Sequence, residues 1–120
     1  MDFLYDISQL PLETVSSGIR RFVFTLDHIM GVYFEIEPGI VFAEHSHPNE
    51  QMGILIKGTV KWKIRGKEMI TKGPVLYRIP YQEPHSAEII GDEPALFLDI
   101  FYPHRKEFLK EGPEEYMKGR

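Results

Sequence analysis

Residues 45 to 51 read His-Ser-His-Pro-Asn-Glu-Gln and follow directly on the apolar run Ile40-Val41-Phe42-Ala43. His45 and His47 are two apart, and a strand puts such a pair on one face while Glu44 and Ser46 point the other way. Two imidazoles on one face can share a metal ion. Because the chain has no cysteine, any metal must rest on histidine, carboxylate or amide ligands. A His-x-His pair alone is weak evidence, since it also arises without metal. A second group lies in Leu96-Phe97-Leu98-Asp99-Ile100-Phe101-Tyr102-Pro103-His104-Arg105. Asp99 stands inside an apolar run, where an unpaired carboxylate costs several kcal/mol of desolvation. By alternation Asp99 and Phe101 share a face. If that face lines an interior, Asp99 approaches it and Arg105, beyond the Pro103 turn, folds back over its mouth. If it faces solvent, Arg105 pairs with Glu107 or Glu111 on the tail.

The elements that must position these groups are read from apolar periodicity. Met30, Val32, Phe34 and Ile36 alternate with Gly31, Tyr33 and Glu35, which predicts a half-buried strand ended by Pro38-Gly39. Further β-rich runs occupy 40–44, 52–57, 59–65, 67–71, 75–79, 86–90 and 95–101, punctuated by Gly58, Gly66, Gly73-Pro74 and Gly91-Asp92. This rhythm predicts an all-β sandwich or barrel. Arg65-Gly66-Lys67 reads as a hairpin tip. Lys61 and Lys63 face water, with Trp62 turned to the core or to a ligand cavity. After Pro103, residues 104–110 change to helical character before Gly112-Pro113, which predicts a short closing helix. The first seventeen residues lack strong periodicity, and Phe3, Leu4, Ile7 and Leu10 are expected to pack on the barrel exterior or on a second subunit. The expected organisation is one domain over 1–120, with an N-terminal segment 1–17, a barrel 18–102 and a C-terminal tail 103–120.

Composition limits the partners. The chain has 120 residues, of which 42% are hydrophobic and 27% charged, enough for one core without staples. A net charge of -4 leaves no basic footprint for nucleic acid or an anionic membrane. The start, Met1-Asp2-Phe3-Leu4-Tyr5-Asp6, carries acids where a secretory signal needs a basic region, and no apolar stretch is long enough to span a bilayer. The expectation is a cytoplasmic protein that binds neither nucleic acid nor membrane.

Gly39, His45, His47, Gln51 and Gly58 fall at the spacing Gly-x5-His-x-His-x3-Gln-x6-Gly. This resembles the first motif of the cupin superfamily, with glutamine where glutamate is usual. Gly73 to His85 resembles the second motif, departing from it with six residues rather than five between Gly73 and Pro80, with Gln82 in place of glycine and with Ile89 where asparagine is common. The resemblance implies a cupin-type β-barrel, a double-stranded β-helix, in which His45, His47, Gln51 and His85 hold one divalent metal ion (Ni, Zn, Mn or Fe). Glu50 is the rival of Gln51, because a carboxylate usually outcompetes an amide for hard cations. Three imidazoles and an amide would leave the charge of the ion uncompensated and make it a stronger Lewis acid.

A narrower resemblance is to the small cupins of pectin and alginate breakdown that linearise unsaturated uronates. Those show His-Ser-His-Pro-x-Glu-Gln and a later Asp-x-Phe-x-Pro-x-Arg, both present here at residues 45–51 and 99–105. The resemblance implies Asp99 as acid-base residue, Arg105 as anchor for a substrate carboxylate, and Phe101 as a wall against the sugar ring. It also implies a small anionic substrate, non-redox isomerisation or ring opening, and a homodimer. A cupin dioxygenase with a redox metal and a non-catalytic sugar-binding barrel are the competing readings. Arg78 is expected to project outward, Glu83 to be a loop acid, and His28 and His104 to lie at the surface. Tyr33 and Tyr77 are left open between cavity and wall.

Overall fold

The computed structural model describes residues 3–109. Ten strands follow one another: β1 Glu13–Ser16, β2 Ile19–Thr25, β3 Met30–Ile36, β4 Val41–His45, β5 Glu50–Lys57, β6 Thr59–Ile64, β7 Lys67–Lys72, β8 Val75–Ile79, β9 His85–Ile90 and β10 Ala95–Tyr102. They form two antiparallel sheets, one in the order β1-β2-β3-β10-β5-β8 and one in the order β4-β9-β6-β7. This is the expected all-β barrel.

The sheets face one another across a shared core. Ile36, Leu55, Ala95 and Phe97 from the first sheet pack with Val60, Trp62 and Ile89 from the second. Each such side chain contributes roughly 1.5–3 kcal/mol when fully buried. A second cluster of Met30, Val32, Phe101 and Leu109 closes one end. Strand β10 runs through the middle of its sheet, paired with β3 on one side and β5 on the other. Its alternation is strict: Ala95, Phe97, Asp99 and Phe101 are buried while Leu96, Leu98 and Ile100 are less so. Asp99 thus stands in an inward row of otherwise apolar side chains.

The predicted strands appear with small shifts at their ends, and Arg65 and Gly66 adopt φ of 53° and 73° at the hairpin tip between β6 and β7. Two expectations need correction. The sheet begins at Glu13, so β1 and β2 add two strands that periodicity did not give, and the barrel starts before residue 18. In β2 the inward position 21 is an arginine, which breaks the apolar alternation of Ile19 and Val23. The closing helix is a single 3-10 turn at Lys106–Phe108, and Lys110 lies outside the described residues. On the single chain Phe3, Leu4 and Ile7 are exposed and Leu10 is half-buried, while Tyr5 sets its ring edge-on to Phe22 with centroids 5.2 Å apart.

Gly58, the last glycine of the first motif, turns the chain between β5 and β6 with φ of 102°, and a Cβ there would lie 2.7 Å from the Ala95 Cα and 3.0 Å from the Pro94 carbonyl. Both the backbone conformation and the close approach exclude a side chain. Gly58→Ala should therefore lower the unfolding free energy by about 2 kcal/mol or more, read as a shifted urea midpoint at unchanged slope.

Candidate metal centre

His45 ends β4 and His85 opens β9, and the two residues face each other in the register of those strands. His47 follows on the loop into β5 and is buried. The ring centroids are 4.3 Å apart for His45 and His85, 4.9 Å for His47 and His85, and 5.7 Å for His45 and His47. One nitrogen from each ring lies within 4.8 Å of the others. The hydrogen bonds set the ring faces. His45 Nδ1 is 2.9 Å from the Ala43 carbonyl and His85 Nδ1 is 2.8 Å from the Glu83 carbonyl. A carbonyl only accepts, so Nδ1 carries the proton in both rings and Nε2 keeps its lone pair. That is the tautomer a metal ligand needs.

Gln51 meets this cluster from β5. Its Oε1 lies 3.1 Å from His47 Nε2, and its Nε2 donates to Asp99 Oδ1 at 3.1 Å. Glu50 is exposed and does not line the cavity, whereas Gln51 does. His47 Nδ1 is buried without a partner among the described residues. Burial, joined by the charges of Arg105 and His85, lowers the His47 pKa to about 4, and burial also lowers that of His85. The imidazoles at positions 47 and 85 are therefore held neutral at neutral pH. Three convergent imidazoles, those at positions 47 and 85 held neutral, beside an amide oxygen fit a divalent first-row metal ion.

Asp99 is only 7% exposed and faces inward. Its Oδ1 accepts from Gln51 and from the Tyr77 hydroxyl. Burial raises its pKa to about 6, opposed by those two hydrogen bonds and by the charge of Arg105. Tyr77 reaches it across a glycine. Asp99 pairs with Gly53 and Gly53 pairs with Tyr77, and a Cβ on Gly53 would come within 2.6 Å of the Tyr77 hydroxyl oxygen. Burial holds the Tyr77 phenol well above its ordinary pKa, so it remains a donor.

Arg105 folds back as expected: its guanidinium lies 5.2 Å from the Phe101 ring centroid and 4.4 Å from that of Phe108. Burial pulls its pKa down, while the charge of Glu107, the largest opposing influence, raises it. The ion pair with Glu107 also forms, at 3.3 Å from Nε; Glu111 lies outside the described residues. Asn49 fixes the segment that carries Arg105. It is buried and its Nδ2 donates to the Pro103 carbonyl at 2.7 Å and the His104 carbonyl at 3.3 Å. His45, Gln51, His85, Asp99, Phe101 and Arg105 all line one cavity of about 250 Å³, whose wall also includes Trp62 and Tyr77.

The remaining expectations resolve simply. Arg78 and His28 are exposed, and His104 Nε2 meets the Leu26 carbonyl at 2.8 Å. Tyr33 points away from the cavity to Glu35, whereas Tyr77 points into it. Glu83 does more than occupy a loop: its carbonyl orients His85 and its carboxylate pairs with Arg65 at 2.6 Å. Gly53, Asn49 and Arg21, which also lines the cavity, were not singled out by sequence. An inward arginine in a Phe/Val-rich run was the one signal available for Arg21.

The cupin domain model matches residues 32–101. The chain belongs to the cupin family. Solved cupins superpose over most of its length. KdgF from Halomonas sp. aligns with a TM-score of 0.80 at 21% identity, over 91% of this chain and 100% of that one. An RmlC-like cupin from Shewanella frigidimarina gives 0.81 at 18% identity, over 91% and 97%. A predicted oxalate decarboxylase from Thermotoga maritima gives 0.74 at 16%, over 84% and 99%. No curated protein matches the chain in sequence.

Two predictions follow from the electrostatics of this cupin. Gln51→Glu replaces the donor to Asp99 with a second carboxylate in the same pocket, so the metal-free variant should lose roughly 1–3 kcal/mol of unfolding free energy at neutral pH and regain part of it on metal loading. Equal stability of variant and wild type without metal would contradict the account. In metal-free protein His47 and Asp99 act in opposite directions. The depressed His47 pKa makes stability fall as pH drops from 6.5 toward about 4, and the raised Asp99 pKa makes it fall as pH rises from 3.8 toward about 6. Relative to wild type, His47→Gln should therefore gain stability toward acid and Asp99→Asn toward neutrality, measured by urea unfolding across that range.

Proposed function

We propose that this cupin holds one divalent metal ion through His45, His47, Gln51 and His85, and that it catalyses non-redox isomerisation or ring opening of an unsaturated uronate or a similar anionic sugar. The observation that carries the reading is that Asp99 and Arg105, set at the motif spacing of the uronate-linearising cupins, line the same cavity as His45 and His85 of the imidazole cluster. When bound, the metal supplies a Lewis acid able to polarise a hydroxyl or carbonyl of the substrate. The chain supplies the rest. Arg105 offers its guanidinium fork to the substrate carboxylate, and the Phe101 ring flanks the sugar. Asp99 has Oδ1 occupied by Tyr77 and Gln51, which leaves Oδ2 to take and return a proton. A pKa near 6 suits that exchange at neutral pH. The apolar wall of Phe42, Trp62 and Phe97 keeps bulk water from the reacting carbon. An isomerisation of this kind moves one proton within the substrate and needs no oxidant.

The full chain is proposed as one cytoplasmic domain that works as a homodimer. Support for the second copy comes from Met52, Ile54 and Leu76, exposed on β5 and β8, with Leu76 at 78%; the mass in solution tests it.

The metal content of purified protein, measured together with turnover of unsaturated galacturonate and guluronate followed by NMR, tests the assignment. Asp99→Asn should retain the ion and lose at least about 100-fold in kcat. His47→Ala should lose the ion, and Arg105→Ala should raise KM by about tenfold or more. Full activity in Asp99→Asn would remove Asp99 from the chemistry, and substrate-dependent oxygen uptake without isomerisation would replace the reading with a dioxygenase.

A further inference from the structure

Arg21 occupies an inward position of β2 between Ile19 and Val23, with its side chain only 11% exposed. A charge in that position costs desolvation, and an apolar residue would pack there at less cost. Its cross-strand partner is Glu13, directly opposite in register, whose Oε1 lies 3.0 Å from Arg21 Nε. The ion pair uses one edge of the guanidinium. Among the described residues neither Nη atom has a hydrogen-bond partner, and neither is sealed from solvent. Arg21 itself lines the cavity, so these donors are available to a ligand there.

Arg105 repeats the arrangement. Its Nε meets Glu107 at 3.3 Å, its Nη atoms have no partner among the described residues, and it lines the same cavity. The two guanidiniums share one platform, lying 4.8 Å and 4.4 Å from the Phe108 ring centroid. Each guanidinium is paired with an acid through its Nε and packed against the same ring, and both residues line one cavity. Like charges set so close repel, and Arg21 lowers the pKa of Arg105. A ligand carrying two negative groups relieves that repulsion.

We propose that Arg21 is a second anion-binding residue of this site, and that its ligands are acids with two carboxylates or equivalent acidic oxygen groups, one held by Arg105 and the other by Arg21. The inference deepens the proposed function and rests on it for the placement of the first carboxylate at Arg105. Within that reading it favours an unsaturated uronate bearing a second acidic group over the plain monocarboxylate.

The test is calorimetric titration of metal-loaded protein with succinate and glutarate against propionate, with the fluorescence of Trp62, the chain's single tryptophan and part of the cavity wall, as an independent readout. Wild type should bind the better dicarboxylate about tenfold more tightly than propionate. Arg21→Gln should abolish that preference while leaving propionate affinity unchanged. Glu13→Gln breaks the same ion pair but keeps the guanidinium, and should retain the preference. If Arg21→Gln does not fold, Arg21→Lys keeps the charge without the fork and should still lose most of the preference. An unchanged ratio in the position-21 variants, or no preference in wild type, overturns the proposal. Dicarboxylate selectivity without uronate turnover would leave this inference standing and remove the proposed reaction, so the two fail separately.

Discussion

An amide has an accepting end and a donating end, and Gln51 uses both. Its oxygen is turned to His47 and its nitrogen to Asp99. One side chain thus sets the distance between the imidazole cluster and the buried acid. Glutamate, usual at this place in the motif, has no hydrogen to give and would set two carboxylates together in an apolar chamber. The amide is therefore coupled to Asp99 as closely as to the imidazole cluster, and neither residue is intelligible without the other.

Three adjacent strands make that coupling possible. Asp99 on β10, Gly53 on β5 and Tyr77 on β8 form one row across the sheet, with glycine in the middle. The gap at Gly53 lets the phenol reach past β5 to the carboxylate. Two donors converge on one oxygen of Asp99 and offset part of the cost of burying it. The same donors leave the second oxygen as the only one open to other chemistry.

Much of this was legible in the sequence, and the limit has a physical basis. Period-2 alternation marked β3, and β-rich runs punctuated by glycine marked β4 to β10. Both signals passed over β2, where Arg21 stands at an inward position, and β1, a short edge strand whose side chains are mostly exposed. The tail looked helical from composition, yet Phe108 is used to carry two guanidiniums and the chain makes only a single turn there. Motif spacing brought His45, His47, Gln51 and His85 to one place because spacing on paired strands is a distance. Gly53, Tyr77 and Asn49 act through strand register and long-range contact, which no local window of sequence contains.

Asn49 is a residue of the histidine loop, and both of its hydrogen bonds end on backbone carbonyls of the stretch leading to Arg105. Those carbonyls belong to Pro103 and His104, so what position 49 recognises is a backbone path and not particular side chains. Segments 45–51 and 99–105 consequently behave as one cassette. A chimera that transplanted either of them into another barrel would bring a half-site with its brace cut, whereas exchanging both together would carry the alignment along.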